Sequence, residues 1–396
     1  MSPSDSMSTA STPANSGAGP RLFDDVTFPR GAAMPNRFML APLTNQQSHA
    51  DGTLSDDEHH WLTMRADGGF GLVMTCASHV QAVGQGFAGQ LGCFDDVHIA
   101  GLTRLAEDIK HPRRAEAPPS NAAGGGRSVA IVQLHHAGNR APAELIGTTP
   151  VCPSDDPDTG ARALTDAEVQ AVIADFVAGA VRSERAGFDG VELHGAHGYL
   201  ICQFLSSELN RRTDEYGGSL ENRSRLLFEI IDGIRAACDD DFIVCVRLSP
   251  ERFGMQLGEI RVVTQQLIDS GLVDFIDLSL WDCFKEPEEA EWKGRTLTEV
   301  ATDIERRTDP SGRRVPLAVA GKIHDPADAE RVLDLGADVV ALGRVAILHH
   351  DYPRQLALDP GFTPNRVPVS REYLAAEGLS EAFIGYMSGW KGFVAD

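Results

Sequence analysis

In Val191-Glu192-Leu193-His194-Gly195-Ala196-His197-Gly198-Tyr199 a short β-branched and aliphatic run ends directly in His194, and two glycines then let the chain turn. His197 and Tyr199 follow His194 at offsets of three and five. That spacing predicts a strand whose carboxyl end aims two imidazoles and a phenol into one pocket. Two nearby donors and one hydroxyl acid suit a polarised substrate oxygen and a proton delivered close by. The same residues also read as a loop with two hydrogen-bonded histidines, so the flanking sequence has to decide.

Outward from this stretch, apolar runs alternate with helical patterns. Strands are predicted at 38–41, 72–77, 129–134, 190–194, 242–248, 275–280, 317–320 and 339–343. Between most of them lie amphipathic stretches with helix-start signals: Ser55-Asp56-Asp57-Glu58, Thr165-Asp166-Ala167-Glu168 opening a run through Arg185, and Ser219-Leu220-Glu221-Asn222 ahead of 226–234. Asp325-Pro326 opens another, with a stop at Gly336. Continuous apolar strands separated by helices imply a parallel sheet covered on its outer face. Eight such units predict an α/β fold, a (β/α)8 TIM barrel, with an open doubly wound sheet as the alternative.

At 396 residues the chain is long for one average domain, yet barrels of this kind run past ~250 residues as a single unit. Hydrophobic content of 42% is ample for a large core. Thirty-five Lys and Arg stand against 57 Asp and Glu, and the resulting formal charge of −22 repels phosphate backbones, which argues against nucleic acid as a partner. Any anionic ligand must then be held by a few local cations. The seven cysteines, at 76, 93, 152, 202, 238, 245 and 283, form no CxxC pair and sit mostly in apolar segments, the pattern of reduced thiols in a cytoplasmic protein. No apolar run approaches the ~20 residues of a membrane-spanning helix, so no membrane partner is expected.

Residues 1–20 are Ser-, Ala-, Pro- and Gly-rich, with no Lys and no hydrophobic run of the signal-peptide kind, and read as a disordered tail. The barrel is expected over 21–366, interrupted by a flexible insertion at 111–127 that carries Pro112, Pro118, Pro119 and Gly124-Gly125-Gly126. A C-terminal helical extension over 367–396 places Phe383, Met387 and Trp390 at i, i+4 and i+7. It reads as a helix packed on the barrel or on a sister subunit rather than as a cofactor lid, which leaves a homo-oligomer open.

Active sites in this fold sit at the carboxyl ends of the strands. The residues expected there are Pro42-Leu43-Thr44, Ala77-Ser78, Gln133, His194, Arg247, Ser279, Ala320-Gly321-Lys322 and Gly343-Arg344. The turns after the seventh and eighth strands are where this fold often holds a phosphate on amide N–H groups, here supplemented by Arg344. A rim ion pair is the other reading of Arg344. Arg247 follows 243–246 into the barrel mouth, and a cation there needs an anionic or electron-rich partner. Gly84-Gln85-Gly86-Phe87-Ala88-Gly89 matches G-x-G-x-x-G letter for letter, but it lies beyond its strand and leads into no helix signal, so it reads as a glycine loop rather than a dinucleotide fingerprint.

Five blocks, in order, resemble the old yellow enzyme family of FMN-dependent NAD(P)H oxidoreductases. They are Ala41-Pro42-Leu43-Thr44, Gln133-Leu134-His135-His136-Ala137-Gly138, the His194/His197/Tyr199 cluster, Arg212-Thr213-Asp214-Glu215-Tyr216-Gly217-Gly218-Ser219 with Glu221-Asn222-Arg223, and Gly343-Arg344. The resemblance spans about residues 22–360. It implies FMN as cofactor and NADPH or NADH as reductant, with no separate nicotinamide-binding domain because both substrates share one pocket. Thr44 would then bond a flavin carbonyl, and Ala77 and Gln133 would contact the ring, near Pro42 and Leu43. Arg247 would face the pyrimidine edge, where a guanidinium stabilises the charge of reduced flavin. Gly321, Gly343 and Arg344 would hold the FMN phosphate, with Ala320 and Lys322 among the other cofactor-binding residues. His194 and His197 would bind the activating oxygen of a small-molecule alkene, and Tyr199 would supply the proton.

The sequence departs from the family in places. Asn45-Gln46-Gln47 follow Thr44 where relatives often present Arg or an aromatic, and His135 takes a place that is often Trp or Ala. No cysteine cluster follows the barrel, which argues against the iron–sulfur-containing branch. Two rival readings are a barrel metallohydrolase using His194 and His197 as metal ligands, and a flavin protein acting as a sensor or oxidative demethylase.

Overall fold

The computed structural model describes residues 21–113, 127–306, 308 and 312–395. The tail expected at 1–20 and most of the expected insertion, 114–126, lie outside the described residues.

Eight strands close into a barrel: β1 (Phe38–Leu40), β2 (Leu72–His79), β3 (Val129–His135), β4 (Gly190–Gly195), β5 (Ile243–Leu248), β6 (Phe275–Ser279), β7 (Leu317–Ala320) and β8 (Val339–Leu342). They run in the order β1-β8-β7-β6-β5-β4-β3-β2, with every neighbouring pair parallel, so the open doubly wound alternative is set aside. The apolar runs form strands because both of their faces are covered, one by the barrel interior and the other by helices. Helices begin where the caps stand. Ser55 accepts from the Glu58 N–H ahead of Asp56–Asp67, Thr165 and Glu168 form a capping box ahead of Asp166–Arg185, and Ser219 accepts from the Asn222 N–H ahead of Leu220–Ala237.

The core has two layers. The outer one lies between strands and helices. The inner one fills the barrel with Met39, Leu72, Met74, Val129, Ile131, Ile243, Cys245, Phe275, Ala318 and Val339, all at least 99% buried. Its bottom is plugged by the segment around Phe28, whose ring stacks on Phe275 at 5.3 Å. Since the interior is packed from below, any cavity must open at the other end, at the strands' carboxyl termini.

An irregularity in β2 matters there. The register shifts between Met74 and Ala77, so that Met74 pairs with Ile131 and Ala77 with Gln133. The extra residue of this bulge carries Ala77 to the inner face at the level of Gln133. Ser78, named beside Ala77 as a strand-end residue, is instead wholly buried and donates to the Cys76 carbonyl.

The C-terminal segment folds back over the barrel. Helix Glu381–Ser388 is anchored by Phe383, which is fully buried with its ring edge-on to Trp61 at 5.4 Å, and by the Ser380 N–H, which donates to Gln47 Oε1 at 3.1 Å. The expectation of a helix that only packs is corrected in one respect. Trp390 lies beyond the helix end and is 43% exposed, while Tyr386 and Met387 share with it a cavity at the barrel mouth.

Candidate active site

A cavity of about 290 Å³ opens at the carboxyl ends of the strands. Apart from Ser78, the predicted site residues line it: Pro42, Leu43 and Thr44 after β1, Ala77 on β2, Gln133 on β3, His194 on β4 with His197 and Tyr199 in the following turn, and Arg247 on β5 with Ser279 at the end of β6. Ala320, Gly321 and Lys322 at the end of β7, and Gly343 and Arg344 after β8, complete it. A Cβ added at Gly321 would come within 2.9 Å of the Cys283 backbone nitrogen, so only glycine lets that turn pass. Lys322 pairs with Asp282 at 2.8 Å. The rim-pair reading of Arg344 does not hold, since it is exposed and makes no ion pair among the described residues.

The turn after β4 is held tightly. His197 adopts φ +60°, which a residue with a side chain keeps only when its surroundings over-determine it. Its N–H donates to Ser249 Oγ at 3.1 Å, and its carbonyl accepts from Arg140 Nη1. Gly198 follows at φ +72°, with the Phe253 ring 3.0 Å from where a Cβ would stand. The rings of His194 and His197 lie 5.1 Å apart, and that of Tyr199 is 4.9 Å from His194.

Hydrogen bonds orient these groups. His194 Nδ1 accepts from the Ala196 N–H at 3.3 Å, which leaves its Nε2–H free for the cavity. Arg247 Nη2 donates to Ser279 Oγ at 3.3 Å, and that hydroxyl stands 2.7 Å from His197 Nε2. A guanidinium can only donate, so the Ser279 proton is available to His197 Nε2; in the tautomer in which Nε2 accepts it, Nδ1–H is the ring's remaining donor. The Tyr199 hydroxyl donates to none of the described residues. Burial holds both imidazoles well below their ordinary pKa, with His197 and Arg247 adding to the effect on His194, so both are neutral donors. Burial raises the Tyr199 phenol, against the pull of Arg140, whose guanidinium lies over its ring at 4.7 Å.

Sequence reasoning missed the layer beneath. Arg247 Nε stands 3.1 Å from Asp277 Oδ2, and both side chains are almost fully buried. Gln133 Nε2 donates to Glu192 Oε1 at 2.7 Å, which leaves the amide oxygen of Gln133 as its acceptor. Burial, then the Asp277 charge, pushes Glu192 well above the ordinary carboxylate range. A signal was present. Glu192 and Asp277 stand two residues before His194 and Ser279, and strand periodicity puts each pair on one face. Arg140 and Trp281, which also border the site, carried no such signal.

Among the described residues no three His, Cys, Asp or Glu side chains gather as metal ligands. No helix among them is long and apolar enough to cross a membrane.

The family model described as the NADH:flavin oxidoreductase / NADH oxidase family matches residues 21–359. The chain is similar to a probable NADH-dependent flavin oxidoreductase of Bacillus subtilis, 35% identical over 353 residues that span 86% of each chain. It is also 34% identical to an NADH:fumarate oxidoreductase of Klebsiella pneumoniae over 85% of this chain, though it spans only 36% of that protein's length. Among solved structures, the old yellow enzyme homologue from Zymomonas mobilis superposes with a TM-score of 0.73 at 25% identity, over 92% of this chain and 99% of that one.

Proposed function

The chain belongs to the NADH:flavin oxidoreductase / NADH oxidase family, the old yellow enzyme family, and from that membership we propose that it reduces the C=C bond of α,β-unsaturated carbonyl or nitro compounds. FMN is its cofactor and NAD(P)H its reductant. The observation that carries the proposal is two neutral imidazole donors and one protonated phenol, with free N–H and O–H groups, around one end of a cavity.

The cavity's donor set fits FMN. Arg247 is buried, and the one carboxylate that pairs with it among the described residues is Asp277, 3.1 Å from its Nε on the inner side. Such a guanidinium suits a ring on which negative charge builds up. Thr44 supplies a hydroxyl, Gln133 an amide oxygen, and Ala77 a small surface beside the ring. Pro42 and Leu43 form the wall next to them. Ala320, Gly321, Lys322, Gly343 and Arg344 supply backbone amides and a free cation for the phosphate; a Cβ at Gly343 would meet only Leu43, at 3.5 Å. When bound, FMN carries reducing equivalents from NAD(P)H to the alkene.

The chain's own residues do the rest. His194 Nε2–H and His197 Nδ1–H hold the activating oxygen and stabilise the negative charge that develops on it, each donor contributing about 3 kcal/mol in the transition state. Tyr199 Oη delivers a proton to the α-carbon. The apolar walls exclude water, which strengthens these electrostatic contacts.

Single-turnover reoxidation of the NAD(P)H-reduced holoenzyme tests the proposal with a panel of enones, nitroalkenes and quinones. Rapid reoxidation by enones or nitroalkenes with formation of the saturated product is expected. Reoxidation by quinones alone refutes alkene reduction.

A further inference from the structure

The mouth of the cavity is walled by residues that the family match does not reach. The match ends at residue 359, yet Tyr386, Met387 and Trp390 line the cavity. From the other side Trp281, in the loop after β6, lines the same cavity and, with His197, borders a small recess beside it. Trp281 and Trp390 are 52% and 43% exposed, so neither is held there by core packing.

Trp281 is kept in place at a conformational cost. It adopts φ +60°, and the neighbouring Arg252 and Phe253 adopt +69° and +55°. Bulky side chains rarely take these values. The Arg252 guanidinium lies over the Trp281 ring at 4.7 Å and fixes the indole at the rim. Strained backbone that holds a large apolar ring against solvent at a cavity mouth marks a binding surface. Both walls stand at the reacting end. Trp281 borders the recess with His197, and Tyr386, edge-on to Trp390 at 6.3 Å, is among the groups acting on the Tyr199 phenol.

We propose that Trp281 and Trp390, with Tyr386 beside them, form an aromatic mouth that selects flat, extended acceptors in which an aryl ring is conjugated to the activated double bond. The inference rests on the alkene-reduction reading. Conjugation keeps such an acceptor planar, so its ring meets the indoles while its oxygen reaches the two imidazoles. A small aliphatic enone makes the imidazole contacts and gains little from the mouth. Aromatic contacts favour offset-stacked or edge-on rings, an arrangement that two indoles and a phenol can offer.

The test compares 4-phenylbut-3-en-2-one with cyclohex-2-en-1-one on the holoenzyme, by steady-state kinetics with NAD(P)H and by calorimetric binding to the oxidised enzyme without reductant. The wild type is expected to bind the aryl ketone at least tenfold more tightly. Trp281→Ala and Trp390→Ala are each expected to lower the aryl-to-cyclic ratio of kcat/KM, and of affinity, about tenfold, with Trp→Phe restoring most of it. Both side chains are exposed, so their truncation leaves the core intact. A wild type with no preference, or variants in which the two acceptors shift alike, overturns the mouth. If the aryl preference in binding is present and mutation-sensitive while neither ketone reoxidises the reduced enzyme, the alkene-reduction reading falls and the mouth stands. If both ketones are turned over without preference, the mouth falls and alkene reduction stands.

Discussion

Replacing Tyr199 by Phe isolates the proton-transfer step. The hydroxyl donates to no described residue, so its removal leaves no orphaned partner in the fold. The two imidazoles keep their hydrogen bonds to the Ala196 N–H and to Ser279, so oxygen binding is retained. The phenol is raised above its ordinary value by burial and is therefore a weak acid at neutral pH, which places its contribution toward the lower end of the ~10²–10⁴ range for a positioned general acid. We expect reoxidation by an enone to slow about a hundredfold, equivalent to ~2.7 kcal/mol, while reduction by NAD(P)H changes less than about threefold. Stopped-flow absorbance of the bound flavin reads the two half-reactions separately. Arg140→Ala, which removes the cation over the phenol ring, should make Tyr199 a weaker acid and slow the same half-reaction several-fold. Equal slowing of both half-reactions in Tyr199→Phe would refute the proton-donor role, and so would no slowing of either.

Three further outcomes follow from the same geometry. Asp277→Asn removes the anion that faces Arg247 at 3.1 Å, so the flavin potential should rise, by about 30 mV for each ~1.4 kcal/mol gained by the reduced form; a fall measured by dye-linked titration contradicts it. His79 and His136 are held by burial at about 3 and about 4, so the unfolded chain takes up protons that the native one refuses. Their stability contribution is full above pH ~6.5 and is lost as pH falls, by about 3 kcal/mol each at pH 4, and a Tm that stays constant from pH 7 to 4.5 would rule this out. Phe383→Ala empties the fully buried contact with Trp61 and should cost about 3–5 kcal/mol in urea unfolding; a cost below ~1 kcal/mol would mean that the C-terminal helix is not anchored there.

The barrel was legible because its physics is local. A strand covered on both faces is mostly apolar, and each of the eight runs found in the sequence is a strand with ends within about two residues of those expected. Helix starts were legible for the same reason, since Ser55, Thr165 and Ser219 cap the helices that follow them. The cavity residues followed once strand ends were known, because this fold gathers those ends at one face. The β2 bulge was not legible. Nothing in Leu72-Val73-Met74-Thr75-Cys76-Ala77 marks an extra residue, yet the shift decides that Ala77, and not Ser78, meets the cavity.

What stayed hidden was the company each site residue keeps across long sequence distances. Arg247 was correctly read as a cation in need of an anion, but the first anion it meets is Asp277, thirty residues on and inside the barrel. That changes what the site can do. A buried guanidinium already paired with a carboxylate presents a moderated charge to the cavity, enough to favour electron-rich ligands without locking onto any anion that enters. Glu192 completes the arrangement. It accepts from Gln133 Nε2 at 2.7 Å and so fixes that amide, while burial, then Asp277, pushes its carboxyl well above the ordinary carboxylate range. A carboxyl raised in this way favours its neutral form and so works with Arg247 rather than against it, one layer below the residues that line the cavity.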